Sequence, residues 1–261
     1  MAKKDSKQRR EASKQLNKKL KLERKLTKKI RRFLKKINRD FLRVYLATEA
    51  LIRAEEYQEE LTTILDDHYR KTAEVFAPIT VKVVNDALID AGHDPVPKND
   101  PILIAALLAF ISENVQFSSR VITNTTNNDM ERALRLENED GKKAKKRLDN
   151  RAVWRSETIG ATETQKAAEG AKSVAMEQTE EIAQTATVAA IIFRSIKQWF
   201  TRLDERVRPA HSDADGQTVP ANEPFIVMGQ QLMYPGDTWL GATLDNTANC
   251  RCTSIHSTTI I

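Results

Sequence analysis

Between Leu16 and Tyr45, apolar side chains recur at Leu16, Leu20, Leu26, Ile30, Phe33, Ile37, Phe41 and Val44, with lysines and arginines between them. Steps of three or four residues place them on one face, so the segment predicts an amphipathic helix with a cationic outer side. The first dozen residues lack the stripe and are expected to be disordered when unbound. Glu49 to Phe76 keeps a helical composition, with Leu51, Ile52, Leu61, Ile64 and Leu65 on its apolar side. Pro78 is expected to end it, because proline lacks a backbone donor and clashes with the preceding turn. A short helix then reaches Leu88 or Ile89. Residues 91–101 contain Pro95, Pro97, Pro101 and Gly92 and predict a loop. Asp100 followed by Pro101 has the chemistry of a helix entry, opening a helix that carries the apolar run Ile102 to Ile111. Asn124 to Asp129 is expected to break that helix, since these side chains compete for backbone hydrogen bonds, and the next begins near Asp129 or Met130. Glu137 to Asn150 is dense in charge and predicts a solvated face or a linker. Ala152 to Gln184 returns to helical composition, with Gly160 and Gly170 as weak points. From Val188 to Ile196 the chain is β-branched and apolar, a strand or a buried helix by periodicity alone. After Arg208, short apolar pieces such as Phe225 to Met228 and Ile255 lie among Pro, Gly, Asp and Asn, as turns and short strands do.

The pattern describes an α+β protein, with a mainly helical N-terminal two-thirds and a compact, turn-rich α+β C-terminal module. Three segments follow: a basic amphipathic helical arm over 1–44, a helical region over 45–150 and the module over 151–261. No repeat of solenoid length is present. With 261 residues, 40% of them hydrophobic, the chain can bury a core. It has no uninterrupted apolar run of about 18 residues, so a soluble chain without a membrane partner is expected. The basic N-terminus has no signal-peptide pattern, and synthesis in the cytoplasm is expected. The net charge of +6 is unevenly spread. Residues 1–44 carry 19 Lys and Arg against 4 acids, which leaves the remainder net acidic. A cationic end of this kind favours a polyanion, nucleic acid or an acidic protein surface. The two cysteines, Cys250 and Cys252, are too close in sequence for an unstrained disulfide and are expected to be reduced.

Five elements follow one another near the C-terminus: Trp199, then Asp204-x-Arg206-x-Arg208-x-x-His211, then Asp215-Gly216, then Pro235-Gly236-Asp237, then Asn249-Cys250-Arg251-Cys252. Their order resembles the Mu F-like phage head-morphogenesis family, and Ile159 to Thr164 resembles the helix leading into its domain. The likeness covers roughly 151–257. Residues 238–248 depart from it, standing where the family has a proline- and acid-rich linker. The resemblance implies a virion protein present in few copies near the portal, active in head assembly or in handling the genome. Portal protein, major capsid protein and packaged double-stranded DNA are the implied partners.

His211, Cys250, Cys252 and His256 form the one Cys/His cluster in the module, a donor set suited to Zn2+. The alternative is a buried, metal-free thiol pair beside a hydrogen-bonded His211, because paired cysteines in zinc sites are usually separated by two to four residues. Asp204, Arg206 and Arg208 alternate and are expected to share a face, pinning loops through Asp213, Asp215 or Asp237. The enzymatic alternative makes His211 and Asp215 an acid–base or metal pair in a nuclease or toxin-like domain, although two separated residues fall short of a catalytic constellation. His68 and His93 are expected to be ordinary surface or loop histidines.

In the basic helix, Lys18, Lys19, Lys21, Arg24, Lys25, Lys28, Lys29, Arg31, Arg32, Lys35 and Lys36 are candidate phosphate contacts. Contacts of that type are independent of sequence and sensitive to salt. The competing reading is a solvated helix face whose apolar side packs on its neighbours. A host nucleoid-type binding protein built on the same helix would leave the C-terminal motif unexplained.

Overall fold

The computed structural model describes residues 2–186 and 191–261. Four long helices come first: α1 (Ala2–Thr48), α2 (Gln58–Asp90), α3 (Pro101–Leu136) and α4 (Gly141–Ala186), with a 3-10 turn at Ala54–Tyr57 between the first two. The small elements follow: β1 (Phe193–Phe200), α5 (Pro209–Asp213), β2 (Thr218–Pro220), β3 (Phe225–Val227), β4 (Gln230–Leu232), α6 (Leu244–Thr247) and β5 (Thr253–Ile260). Strand β1 is central in an antiparallel sheet of order β2-β1-β5, with Trp199 opposite Ser254 and Phe200 opposite Thr253. Strands β3 and β4 form a separate hairpin. The α+β class is as expected, with the helices N-terminal and the strands C-terminal.

One apolar core joins the four helices. Leu26, Ile30, Phe33, Ile37 and Phe41 of α1 pack with Leu61, Tyr69 and Val84 of α2, Phe110 and Val115 of α3, and Ala167, Ala171 and Met176 of α4. Positions 44 and 150, where segment boundaries were expected, fall inside α1 and α4. The first dozen residues, expected to be disordered, continue α1: Ala12 is buried with Phe200 and Ile255, and Arg9 pairs with Asp215 at 2.7 Å. A second core, of Trp199, Phe225, Val227, Leu232, Cys250 and Cys252, lies within the C-terminal module.

Several expected breaks are absent. Pro78 lies inside α2, where buried Phe76, Ala77, Thr80 and Val81 fix its surroundings and Thr80 donates to the Lys172 carbonyl of α4 at 2.9 Å. Packing on α4 outweighs the lost backbone bond. Helix α3 runs through Asn124 to Asp129: Thr125 and Thr126 donate to carbonyls one turn back, and Asn127 reaches Ala54 N and Glu55. Gly160 and Gly170 do not interrupt α4. A Cβ at Gly160 would stand 2.2 Å from Thr27 Oγ1, and one at Gly170 2.2 Å from the Phe110 ring, so both glycines permit close helix approach. The Asp100 entry is as expected, its carboxylate accepting from Ile102 N at 2.9 Å. Asp140 caps α4 in the same way, so much of the charged 137–150 stretch is helix with Ala144 and Leu148 buried. Of the strand expected over 188–196, residues 188–190 lie outside the described residues; β1 begins at Phe193 and continues to Phe200.

Among the described helices, α3 alone is long and apolar enough to cross a bilayer. Leu103, Ile111 and Ile122 of this helix are buried in the shared core, while Ile102, Phe117 and Val121 are exposed.

Candidate functional site

The module is joined to the helices by a buried charged hub on α4. Glu169 accepts from Lys19 at 2.9 Å, Thr253 Oγ1 at 2.7 Å, Ser254 N at 2.9 Å and Ser254 Oγ at 2.8 Å, and pairs with Lys172 at 2.9 Å. Lys172 donates in turn to Gln15, Thr253 and the Ser254 carbonyl, and Lys19 to Gln165 and the Cys252 carbonyl. Burial opposes the charge of Glu169, but Lys172 and Lys19 outweigh it and hold the carboxyl far below its usual range. Burial, with Lys19 nearby, brings Lys172 down to about 8 despite Glu169. One carboxylate thus serves two ammonium groups, and α1, α4 and β5 meet on it. Sequence reasoning missed this hub, and it removes Lys19 from the candidate phosphate contacts.

Three of the four candidate metal ligands come together. His211 on α5 and Cys250 and Cys252 before β5 have Nδ1 and both Sγ atoms within 4.8 Å of one another, all buried. Nδ1 lies 3.4 Å from Cys252 Sγ and 3.7 Å from Cys250 Sγ. A tetrahedral zinc with ordinary bond lengths separates nitrogen and sulfur by about 3.6 Å, so the donor set fits the ion. His211 Nε2 lies 2.8 Å from Asn246 Oδ1, which fixes the ring as an outer partner of a metal site would. The indole of Trp199 stands edge-on to His211. Burial works against the Cys250 thiolate, yet bonds from Cys252 and His211 hold its thiol low, while burial and the Cys250 charge push the Cys252 thiol up.

The expected fourth ligand, His256, is elsewhere. It faces α4, with Nδ1 2.8 Å from Met176 Sδ and Nε2 3.1 Å from Ser254 Oγ. Burial holds it neutral, down to about 3. Among the described residues no other His, Cys, Asp or Glu joins the three. His68 is a buried helix residue rather than a surface histidine, 2.9 Å from Thr164 Oγ1.

The motif residues act mainly as joints. Asp215 accepts from Thr201 N at 2.7 Å and pairs with Arg9, so it is not a partner of His211. Gly216 takes φ +85° beside Trp199, whose carbonyl accepts its N–H at 2.8 Å. Asp237 accepts from Met233 N and Trp239 N, and Pro235 and Gly236 rest on α4, where Gln165 donates to the Pro235 carbonyl at 2.7 Å. The expected network of Asp204, Arg206 and Arg208 with Asp213, Asp215 or Asp237 does not form. Asp204 pairs with Arg251 and Arg202, Arg208 donates to the Ala248 carbonyl, and Asp213 is exposed. The loop bends over 201–208 instead of extending, which separates these side chains. Asn249, at φ +53°, donates through its N–H to Thr162 Oγ1.

Most of the basic residues of α1 fall into two sets. Lys29, Arg31 and Lys36 pair with Asp67, Glu157 and Glu60. The other set, Lys7, Arg10, Lys14, Lys18, Lys21, Lys25, Lys28, Arg32, Lys35 and Arg39, is exposed at every position and repeats at steps of three or four. It forms one outward stripe over about 48 Å of helix, with Arg24 exposed beside it. Glu11 and Asp40 lie loosely near its ends, against Lys14 at 4.0 Å and Arg39 at 3.9 Å. Among the described residues, Lys18, Lys21, Lys25, Lys28, Arg32 and Lys35 have no carboxylate partner.

No curated protein and no solved structure matches the chain. The family model described as phage Mu protein F like protein matches residues 124–255, half of the chain, taking in the end of α3, all of α4, the cysteine–histidine group and the joints around it. The chain belongs to this family of phage head-morphogenesis proteins.

Proposed function

We propose that the chain is a minor head component that bridges the packaged genome and the protein shell. The outer face of α1 lies along double-stranded DNA inside the head, while the C-terminal module docks near the portal, on portal protein or major capsid protein. In that position it contributes to head morphogenesis and to packaging or ejection. The observation that carries this reading is the α1 stripe: a rigid row of cations facing solvent, with its opposite side buried in the core. DNA presents one negative charge per about 1.7 Å, so a straight cationic row of this length can neutralise several phosphates without reading sequence. Docking by the module is supported by Met228, Trp239, Leu240 and Leu244, which it leaves exposed. His211, Cys250 and Cys252 would hold a zinc ion, whose role there would be to tie α5 to the approach of β5.

Duplex binding across a salt series tests the stripe. Replacing Lys21, Lys25, Lys28 and Arg32 with glutamine should reduce the slope of log affinity against log salt by about 3 to 4. Replacing Lys29 and Lys36, whose charges are already paired, should change it by less than about 1. Equal slopes in the two variants would remove DNA from this account. Substitution is the appropriate perturbation, because deleting 1–44 would strip Leu26, Ile30, Phe33, Ile37 and Phe41 from the core.

A further inference from the structure

A cavity of about 410 Å³ opens where α1, the middle of α4 and the C-terminal module meet, on the side of α1 away from the stripe. Arg202, Arg206 and Arg208 enter it from the loop after β1, and Arg251 from between the two cysteines. Carboxylate partners are scarce there. Asp204 alone serves both Arg202 and Arg251. Arg208 is held by a backbone carbonyl, and the Arg206 side chain has no partner among the described residues. The Nε–H of Arg251 is buried without an acceptor. A buried guanidinium donor left unsatisfied is costly, and an arriving oxyanion would relieve that cost.

The charge balance indicates the class of ligand. Lys19 shares Glu169 with Lys172, Glu157 is taken by Arg31, and one loop arginine is matched by Asp204. Glu23 on the opposite wall can offset one more, and burial raises its carboxyl despite the arginines around it. At least two positive charges remain among the four arginines. Guanidinium groups present paired N–H donors that match the oxygens of a phosphate, and a phosphate monoester near neutral pH carries close to two negative charges. The cavity is larger than a phosphate alone requires, and Leu16, Leu20 and Ala161 give the rest of its wall an apolar lining suited to a sugar or base.

We infer that this cavity is a binding site for a phosphate monoester, held by Arg206 and Arg251 with Arg202 and Arg208 beside them. The monoester is either a free nucleotide or the 5′ end of a DNA strand. The site is separate from the α1 stripe and does not depend on the stripe binding DNA.

Calorimetric titration of the full chain with inorganic phosphate and with a nucleoside 5′-monophosphate tests the inference. One saturable site is expected, weakened on the order of tenfold by Arg206→Gln. The four-residue stripe variant should bind the mononucleotide as the parent does, so failure at the stripe and failure at the cavity are distinguishable. In that variant, displacement of the mononucleotide by a 5′-phosphorylated duplex, but not by its dephosphorylated twin, identifies a DNA end as the source. Displacement by neither identifies a free nucleotide. Absence of saturable binding up to about 10 mM would overturn the site. So would binding that Arg206→Gln leaves unchanged; Arg206 is exposed, so its replacement does not test folding. Arg251→Gln, where it folds, should weaken binding at least as much.

Discussion

Glu169→Gln changes a carboxylate into an amide of nearly the same shape at the point where α1, α4 and β5 converge. The substitution leaves Lys19 and Lys172 buried without a counter-charge. It also turns one of two acceptor oxygens into a donor, while every neighbour is itself donating: Lys19, Thr253 Oγ1, and Ser254 through N and Oγ. Removing one member of a buried pair costs about 3–5 kcal/mol, because the survivor keeps its desolvation penalty. Two survivors put the expected loss at the upper end, a large share of the roughly 5–15 kcal/mol that stabilises an ordinary domain. Urea unfolding measures it, followed by far-UV circular dichroism, which reports the helices, and by tryptophan fluorescence in a Trp154→Phe, Trp239→Phe background, which reports the buried Trp199 in the module. Both midpoints should fall together, since the hub belongs to both parts. Combining Glu169→Gln with Lys19→Met removes one orphaned cation and should recover about 1–3 kcal/mol relative to the sum of the single changes. A loss below about 1 kcal/mol, or strict additivity in the double variant, would refute the reasoning.

Gly170→Ala should destabilise by about 1–3 kcal/mol in a thermal melt, although alanine is the better helix former, because the new methyl would overlap the Phe110 ring. A gain in stability would show that the helices can separate at that point. Burial holds His68 down to about 4, against an ordinary value of 6.5. Between those values the unfolded chain takes up a proton that the folded chain refuses, so stability falls as pH drops through that window, by about 2 kcal/mol at pH 5. His68→Gln should flatten this part of the profile, leaving the similar contribution of His256, and an unchanged slope would exclude His68. Metal analysis of chain purified without chelator should find about one zinc per chain, lost in Cys252→Ser and kept in His256→Ala. Protein without zinc would leave the thiol pair as a metal-free part of the module core.

The helical segments and the entry at Asp100 were legible because they rest on local rules: apolar period, a capping carboxylate and proline at the first position. The failures share a cause. Pro78, Gly160, Gly170 and the 124–129 run are each unfavourable for a helix in isolation, and each is compensated by a neighbour distant in sequence. Pro78 is embedded in packing against α4. The glycines admit Thr27 and Phe110, and Asn127 gives its side chain to the turn before α2. At the candidate metal group, His211 and the two cysteines were identifiable from residue type. Excluding His256 required knowing that β5 turns its side chain toward α4 and Met176.

The basic face shows where finer information was present but outvoted. Lys19 lies three residues after Leu16 and seven before Leu26, in phase with the apolar side of α1, whereas Lys18, Lys21, Lys25, Lys28, Arg32 and Lys35 share the opposite phase. A cation in the apolar phase of a long helix must bring an anion into the core with it, because burying an unpaired ammonium is prohibitively costly. The sequence holds a suitable anion in Glu169, flanked by Ala167, Ala168, Gly170 and Ala171, whose small side chains let other elements approach its carboxylate. Grouping the cations by charge alone merged a core residue with surface ones. Sorting them by helical phase separates the lysine that fastens the module to the helices from those free to meet a polyanion. The phase of each cation in α1, rather than its sign, therefore determines whether its loss should be seen in unfolding or in the salt dependence of binding.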